Sequence, residues 1–256
     1  MSRTMAIAGR EMRAAFGSPL GFVIIAIFLV LTGFFFDLHV RDYAMMSLEA
    51  GRNPILAAQL NLHDGLVRPL YQTFAFFLLL VVPLLSMRLL AEEWRQGTAE
   101  LLLTAPIRVS ELVAGKYLGA LGFLTVMLLL TLQYPLFLWI AGSPPPAGAF
   151  ATAFLGTWLL GASVLAVGLL MSSLTESQVI AAVASLVTAV FFWVIGLMEL
   201  AAGADFGRLF RALSLLENLQ ELSKGVIDTG NLVFFASFIA FSLFLTQRTI
   251  ESRRWR

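Results

Sequence analysis

Catalysis needs ionisable or nucleophilic side chains held together, and this 256-residue chain has few of them. There is no cysteine, which excludes thiolate nucleophiles, thiolate metal sites and disulfides. The two histidines, His39 and His63, stand in no HExxH or His-rich spacing, and no EF-hand pattern of acids occurs, so no metal site is expected. Ser163 and Ser185 fall in apolar runs that hold no His, which leaves an intramembrane serine nucleophile without its base. Gly115-Lys116 is the only Gly-Lys pair, and Ser110 stands where the first glycine of a phosphate-binding G-x-x-x-x-G-K-[ST] loop should be. The chain is therefore not expected to be an enzyme. Nor is nucleic acid an expected partner, because the net charge is +1 and the 17 Lys and Arg are scattered.

The elements that position these residues belong to a bilayer. The composition is 59% hydrophobic with 22 Phe, well above the roughly 45–50% of soluble domains. A spanning helix needs about 20 mostly apolar residues to cross about 30 Å of hydrocarbon. Six runs qualify: 20–38, 73–90, 117–140, 150–174, 179–201 and 232–247. The expected fold class is all-α integral membrane, a single six-span domain over residues 1–256. The first run reads as a span, since it exceeds the roughly 7–15 residues of a signal core and no small-x-small cleavage site follows. Ahead of it, Met5, Ala8, Met12, Ala15 and Phe16 recur at helical spacing, roughly opposite Arg3 and Arg10. Residues 1–19 thus read as an interfacial amphipathic helix, with Arg3, Arg10 and Arg13 towards lipid headgroups or a cytosolic partner.

If both termini are cytoplasmic, eleven Lys and Arg fall on inner segments and six on outer ones, the sense that the positive-inside rule requires. The outer loop 40–72 is expected to carry a short surface helix along Ile55, Leu56, Leu60, Leu62, Leu66 and Leu70. Pro144-Pro145-Pro146 marks a stiff outer turn. Thr175 and Gln178 have capping-box spacing for the start of span five, and Glu176 is read as a structural first-turn anion. Residues 203–230 interleave charges with leucines and read as amphipathic helices that lie on or dip into the outer face.

The spans carry charge only at their ends, Asp37, Arg88, Lys116 and Glu199, so a titrating carrier group at mid-membrane is not expected. The most polar interior point is Gln133-Tyr134, beside Pro135, read as a kink sealed by neighbouring helices in preference to a substrate contact. Gly161, Ala162, Ala166, Gly168 and Ser172 give span four a face suited to close helix packing. Phe34-Phe35-Phe36 and Phe74, Phe76 and Phe77 are of a kind that either lines a cavity or faces lipid.

Charge concentrates instead between spans two and three. EEWRQGTAELLLTAPIRVSELVAGK, residues 92–116, holds four acidic and three basic side chains. Glu92-Glu93 must leave the hydrocarbon, Gly97 breaks the helix, Thr98 can cap a short helix through Leu101–Leu103 that Pro106 ends, and Ser110 can cap the next. A helix-break-helix element apolar enough to dock and charged enough to be specific is the result.

EEWRQGTAELLLTAPIRVSELVAGKYLGAL resembles the loop of ABC-2 type transporter permeases, in the branch with the gliding-motility and nitrous-oxide-reductase-maturation permeases. SSLTESQVIAA, ENLQELSKGVIDTGNLVFF and REMRAAFGSPLGFV resemble the same family, so the likeness covers essentially the whole chain. It implies a membrane subunit of an ABC exporter in the bacterial inner membrane, with both termini cytoplasmic. Two such permeases, identical or related, would pair, and two copies of a separate cytosolic ATPase, which alone would bind ATP and Mg, would dock on the loop. By that resemblance Glu92, Glu93, Arg95, Gly97, Thr98, Glu100, Leu101, Leu102, Thr104 and Pro106 form the ATPase-coupling element, Lys116 marks the base of span three, and Gly225 marks the return of an outer re-entrant segment. Two readings stay open at this point: an exporter of an unidentified substrate, and a non-transporting anchor that recruits an ATPase to an envelope assembly with an outer-side or periplasmic partner.

Overall fold

The computed structural model describes residues 3–97, 108–225 and 228–254. Within them every regular element is helical, as an apolar backbone without water to satisfy its amides requires. The helices are α1 (Arg3–Gly17), α2 (Pro19–Ala50), α3 (Pro54–Gln59), α4 (Arg68–Ser86), α5 (Arg88–Arg95), α6 (Val109–Leu129), α7 (Gln133–Ile140), α8 (Ala147–Leu174), α9 (Gln178–Val194), α10 (Glu199–Leu213), α11 (Leu215–Ser223) and α12 (Thr229–Arg254). A π-helical turn at His63–Val67 runs into α4, and 3-10 turns at Leu130–Leu132 and Ile195–Met198 join α6 to α7 and α9 to α10. Six helical stretches are long and apolar enough to cross a bilayer: Pro19–Ala50, His63–Arg95, Val109–Ile140, Ala147–Leu174, Gln178–Met198 and Thr229–Arg253.

Two of these form the centre. In their most apolar windows the second and fourth stretches are 72% and 67% buried, whereas the other four are 22–33% buried. Small residues explain why α8 can be central. A Cβ at Gly161 would come within 3.0 Å of Leu124, and one at Gly168 would collide with Ser86. Leu78, Val82, Leu124, Leu160 and Leu165 are fully buried around this face. The outward faces of the peripheral helices are apolar, with Val30, Val179 and Val187 all more than 60% exposed, as lipid-facing surfaces are.

Several expectations shift. α2 continues through Asp37, His39 and Arg41 to Ala50, well past residue 38, with Arg41 paired to Asp37 at 2.9 Å. The surface helix expected through Leu70 is replaced by α3 and the π-helical turn, and Leu66 and Leu70 are buried in the bundle at 1% and 2% exposure. His63 anchors that turn, donating from Nε2 to the Ser223 carbonyl at 2.8 Å. Span five starts on Ser177, which accepts from the Ile180 amide, while Thr175 accepts from Ser177, so the Thr175–Gln178 capping box does not form. α6 starts at Val109, with the Arg108 amide donating to Glu111, so Ser110 lies inside the helix and is not its cap.

At Gln133-Tyr134 the two residues part. Tyr134 is buried, its hydroxyl donating to Leu29 O at 3.0 Å and lying 3.0 Å from Thr32 Oγ1, whereas Gln133 is exposed on the other side of the helix. The sealed polar point therefore belongs to the tyrosine. Of the phenylalanines, Phe74 is buried, Phe34 is exposed, and Phe35, Phe76 and Phe77 border a cavity of about 510 Å³ beside the His39–Thr73 hydrogen bond.

Candidate functional site

α1 and the last turn of α12 reach the end of the bundle where α5 finishes and α6 starts. The path to that end begins at Met87, where the second stretch breaks. Leu90 and Ala91 donate their amides to Ser172 Oγ of α8, at 3.0 and 2.9 Å, and that hydroxyl donates to Met87 O at 2.9 Å. A side chain from α8 thus occupies the place of a backbone rung, a known cause of helix kinks. α5 leaves this break with Leu89, Leu90 and Ala91 buried and Glu92, Arg95 and Gln96 outward. Gly97 ends it at φ 68°, a left-handed conformation that only glycine adopts without strain.

α6 forms the other wall, and its glycines admit α1. A Cβ at Gly119 would lie 2.7 Å from the Ala8 carbonyl oxygen and 2.6 Å from Glu11 Cβ, and one at Gly115 would lie 2.7 Å from Ile7 Cβ. Small residues four apart let two helix backbones meet in this way. Phe16 closes the contact against Phe123, with ring centroids 4.9 Å apart. The apolar stripe of α1 is thus largely spent on protein: Ala8 and Ala15 are buried, while Met5 remains exposed.

That close approach brings charges together. Lys116, 1% exposed, donates from Nζ to Glu93 of α5 at 2.7 Å and to Glu11 of α1 at 3.1 Å. Arg10 bonds Glu11 at 3.1 Å and stands 3.8 Å from Glu93. One buried ammonium therefore ties three helices. A buried charge is tolerable only when paired and hydrogen-bonded, as here. A cavity of about 280 Å³ opens beside it, bordered by Arg88 and Glu92. The last helix closes the same end: Arg253 lies over the Trp94 ring at 4.6 Å and donates to Leu174 O at 2.7 Å.

Of the residues expected to form the coupling element, Glu92, Glu93, Arg95 and Gly97 are described, and Thr98, Glu100, Leu101, Leu102, Thr104 and Pro106 lie outside the described residues. Arg95 is 61% exposed and pairs loosely with Glu92 at 3.9 Å. Glu93 turns inward to Lys116, part of the frame beneath the loop. Arg10 belongs to that frame too, whereas Arg13 donates to its own helix at Gly9 O. Glu11 and Arg253 were given no site role by sequence reasoning, and Ser172 was read only as a small packing residue. The G-x-x-x-G spacing of Gly115 and Gly119 is a signal from which the α1 contact could have been found. At the opposite end Gly225 has φ 87° in the turn after α11, against Ala149.

A bundle of six bilayer-length helices, with two buried and four facing outward, defines a multi-pass membrane protein. Residues 5–246 match the model of the ABC-2 family transporter proteins, and the chain belongs to that family. No curated protein matches it. Membership makes it a transporter membrane subunit and implies an ABC ATPase as a partner.

Proposed function

We propose that this chain is the permease of a bacterial ABC exporter, seated in the inner membrane with both termini and the coupling loop, residues 91–116, on the cytosolic side. Two copies of a separate ATPase, which bind ATP and Mg in place of any cofactor in this chain, dock on the loop, and a second permease, identical or related, completes the pore. The observation that carries the reading is the Lys116 tie. The loop leaves α5 and re-enters at α6, and the charges at those two bases are bonded to each other and to α1. Force applied to the loop is therefore delivered to spans two and three and to the N-terminal helix as one body. Outward Glu92 and Arg95, with Glu100 and the leucines that follow, supply the docking surface. The same stretches support placement near the gliding-motility and nitrous-oxide-reductase-maturation permeases.

The test is co-purification in mild detergent with ATPase assay of the complex, beside Glu92→Arg and Glu100→Arg. An ATPase retained by the wild type and lost from the variants, which keep the wild-type unfolding midpoint, is the expected outcome. Retention of partner and turnover in both variants would remove the docking role. Vesicles that hydrolyse ATP without moving any cargo would favour the anchor reading instead.

A further inference from the structure

At the end away from the termini, α10 and α11 fold back against the first turns of α12 and enclose a cavity of about 600 Å³, within the range of ligand sites. Its donors are not used up. Asn231, 92% buried, borders the cavity with an Nδ2 that has no hydrogen-bond partner among the described residues. Its neighbour Asn218 shows the contrast, donating to Ala212 O at 3.2 Å and Ser214 O at 2.8 Å. A buried amide left unpaired is costly, about 1–3 kcal/mol in proteins, and such groups in a cavity wall signal a missing acceptor.

Charge supplies the second half. Arg208 and Arg211, three residues apart on α10, both border the cavity. Arg211 is surrounded by Glu199, Glu217 and Glu221 at 3.7–4.0 Å, and Glu221 is also bonded by Lys224 at 2.8 Å. Each of these three carboxylates is thereby paired with Arg211 or Lys224, and among the described residues Arg208 has no ion pair. Gly230 and Asn231 add the start of the long helix α12, whose dipole favours an anion. The remaining wall is apolar, Leu213, Val233 and Phe234, and it runs outward into Val233, Phe206 and Leu209, each more than half exposed.

We propose that this cavity binds an amphipathic anion, whose oxyanion head accepts from Arg208 and Asn231 while its apolar body lies along Val233 and Phe234. Because the apolar wall continues onto the surface that faces the bilayer, a lipid can enter sideways. The same head chemistry could also be met by a free phosphate from the aqueous side. Binding here requires no ATPase, so the proposal stands or falls separately from the coupling role of the loop.

The test is native mass spectrometry of the full chain in detergent, titrated with dioctanoyl phosphatidylglycerol, dioctanoylglycerol or inorganic phosphate. One bound phosphatidylglycerol is expected, weakened about tenfold in Arg208→Gln, the loss of one charge-assisted hydrogen bond, and weakened again in Asn231→Ala. Arg208 is exposed, so its variant keeps the fold. Dioctanoylglycerol should not bind. Inorganic phosphate bound with the same sensitivity to both variants would support the oxyanion site and assign its source to the aqueous side. Phosphatidylglycerol affinity unchanged in both variants, or equal affinity for dioctanoylglycerol, would overturn the proposal.

Discussion

The two ends of the bundle each set a basic side chain among several carboxylates, and they do so in opposite ways. At the termini end Lys116 is 2% exposed and bonded at 2.7 and 3.1 Å to carboxylates that are themselves 18% and 16% exposed. At the far end Arg211 is 53% exposed and no carboxylate comes closer than 3.7 Å. Residue types are nearly the same; what differs is water. A desolvated charge holds its partners because the alternative is an unpaired ion in a poor solvent. A solvated one is screened and exchanges partners at little cost. The first end is built to stay together under load, and the second to rearrange around whatever enters.

The sharpest way to break this contrast is Lys116→Met, which leaves Glu11 and Glu93 without their buried cation and with the exposed Arg10 beside them. A loss of about 3–5 kcal/mol is expected, read as a large drop in the unfolding midpoint in detergent. Neutralising all three positions together, Glu11→Gln, Lys116→Met and Glu93→Gln, should recover most of it. A midpoint unchanged in the single variant would show the tie to be incidental.

Next in size is Gly119→Leu, whose side chain must displace the Ala8 backbone. Overpacking of this kind costs about 1–3 kcal/mol, and here it should release α1 while the spans stay folded. Hydrogen exchange of residues 3–17 measures it; retained protection would mean that α1 is held by something other than the glycine contact. Smallest is Arg211→Gln, expected to change stability by less than about 1 kcal/mol, and by less still in high salt. A cost equal to that of Lys116→Met would erase the distinction between the two ends.

The six bilayer-length stretches were legible because apolar runs of that length have one structural use. Their ends were less so. Leu66 and Leu70 read as a surface stripe because sequence spacing reports a face and not what covers it; α8 does, and it lies far along the chain. Capping at Ser177 in place of Thr175 turned on which of several adjacent hydroxyls faced the amides. The site was half legible. Glu92-Glu93 was found as the exit from the membrane, but the two carboxylates differ by a rotation of about 100° about the helix, and that rotation sends one outward and the other to Lys116. The partner of that lysine, Glu11, stands 105 residues away, beyond any local pattern. Ser172 was noticed only as a small residue; its role as acceptor for Leu90 and Ala91 needed the kink to exist first.

Lys116 also sets an order of assembly. Glu11 and Glu93 leave the ribosome before it, and until it arrives neither carboxylate has its ammonium. Through that interval Glu11 and Glu93 have the exposed Arg10 between them, and a buried contact of α1 with α5 would lack its ammonium. The third span supplies both that ammonium and the glycine face on which the N-terminal helix seats, so a chain stalled before it has nowhere to dock α1.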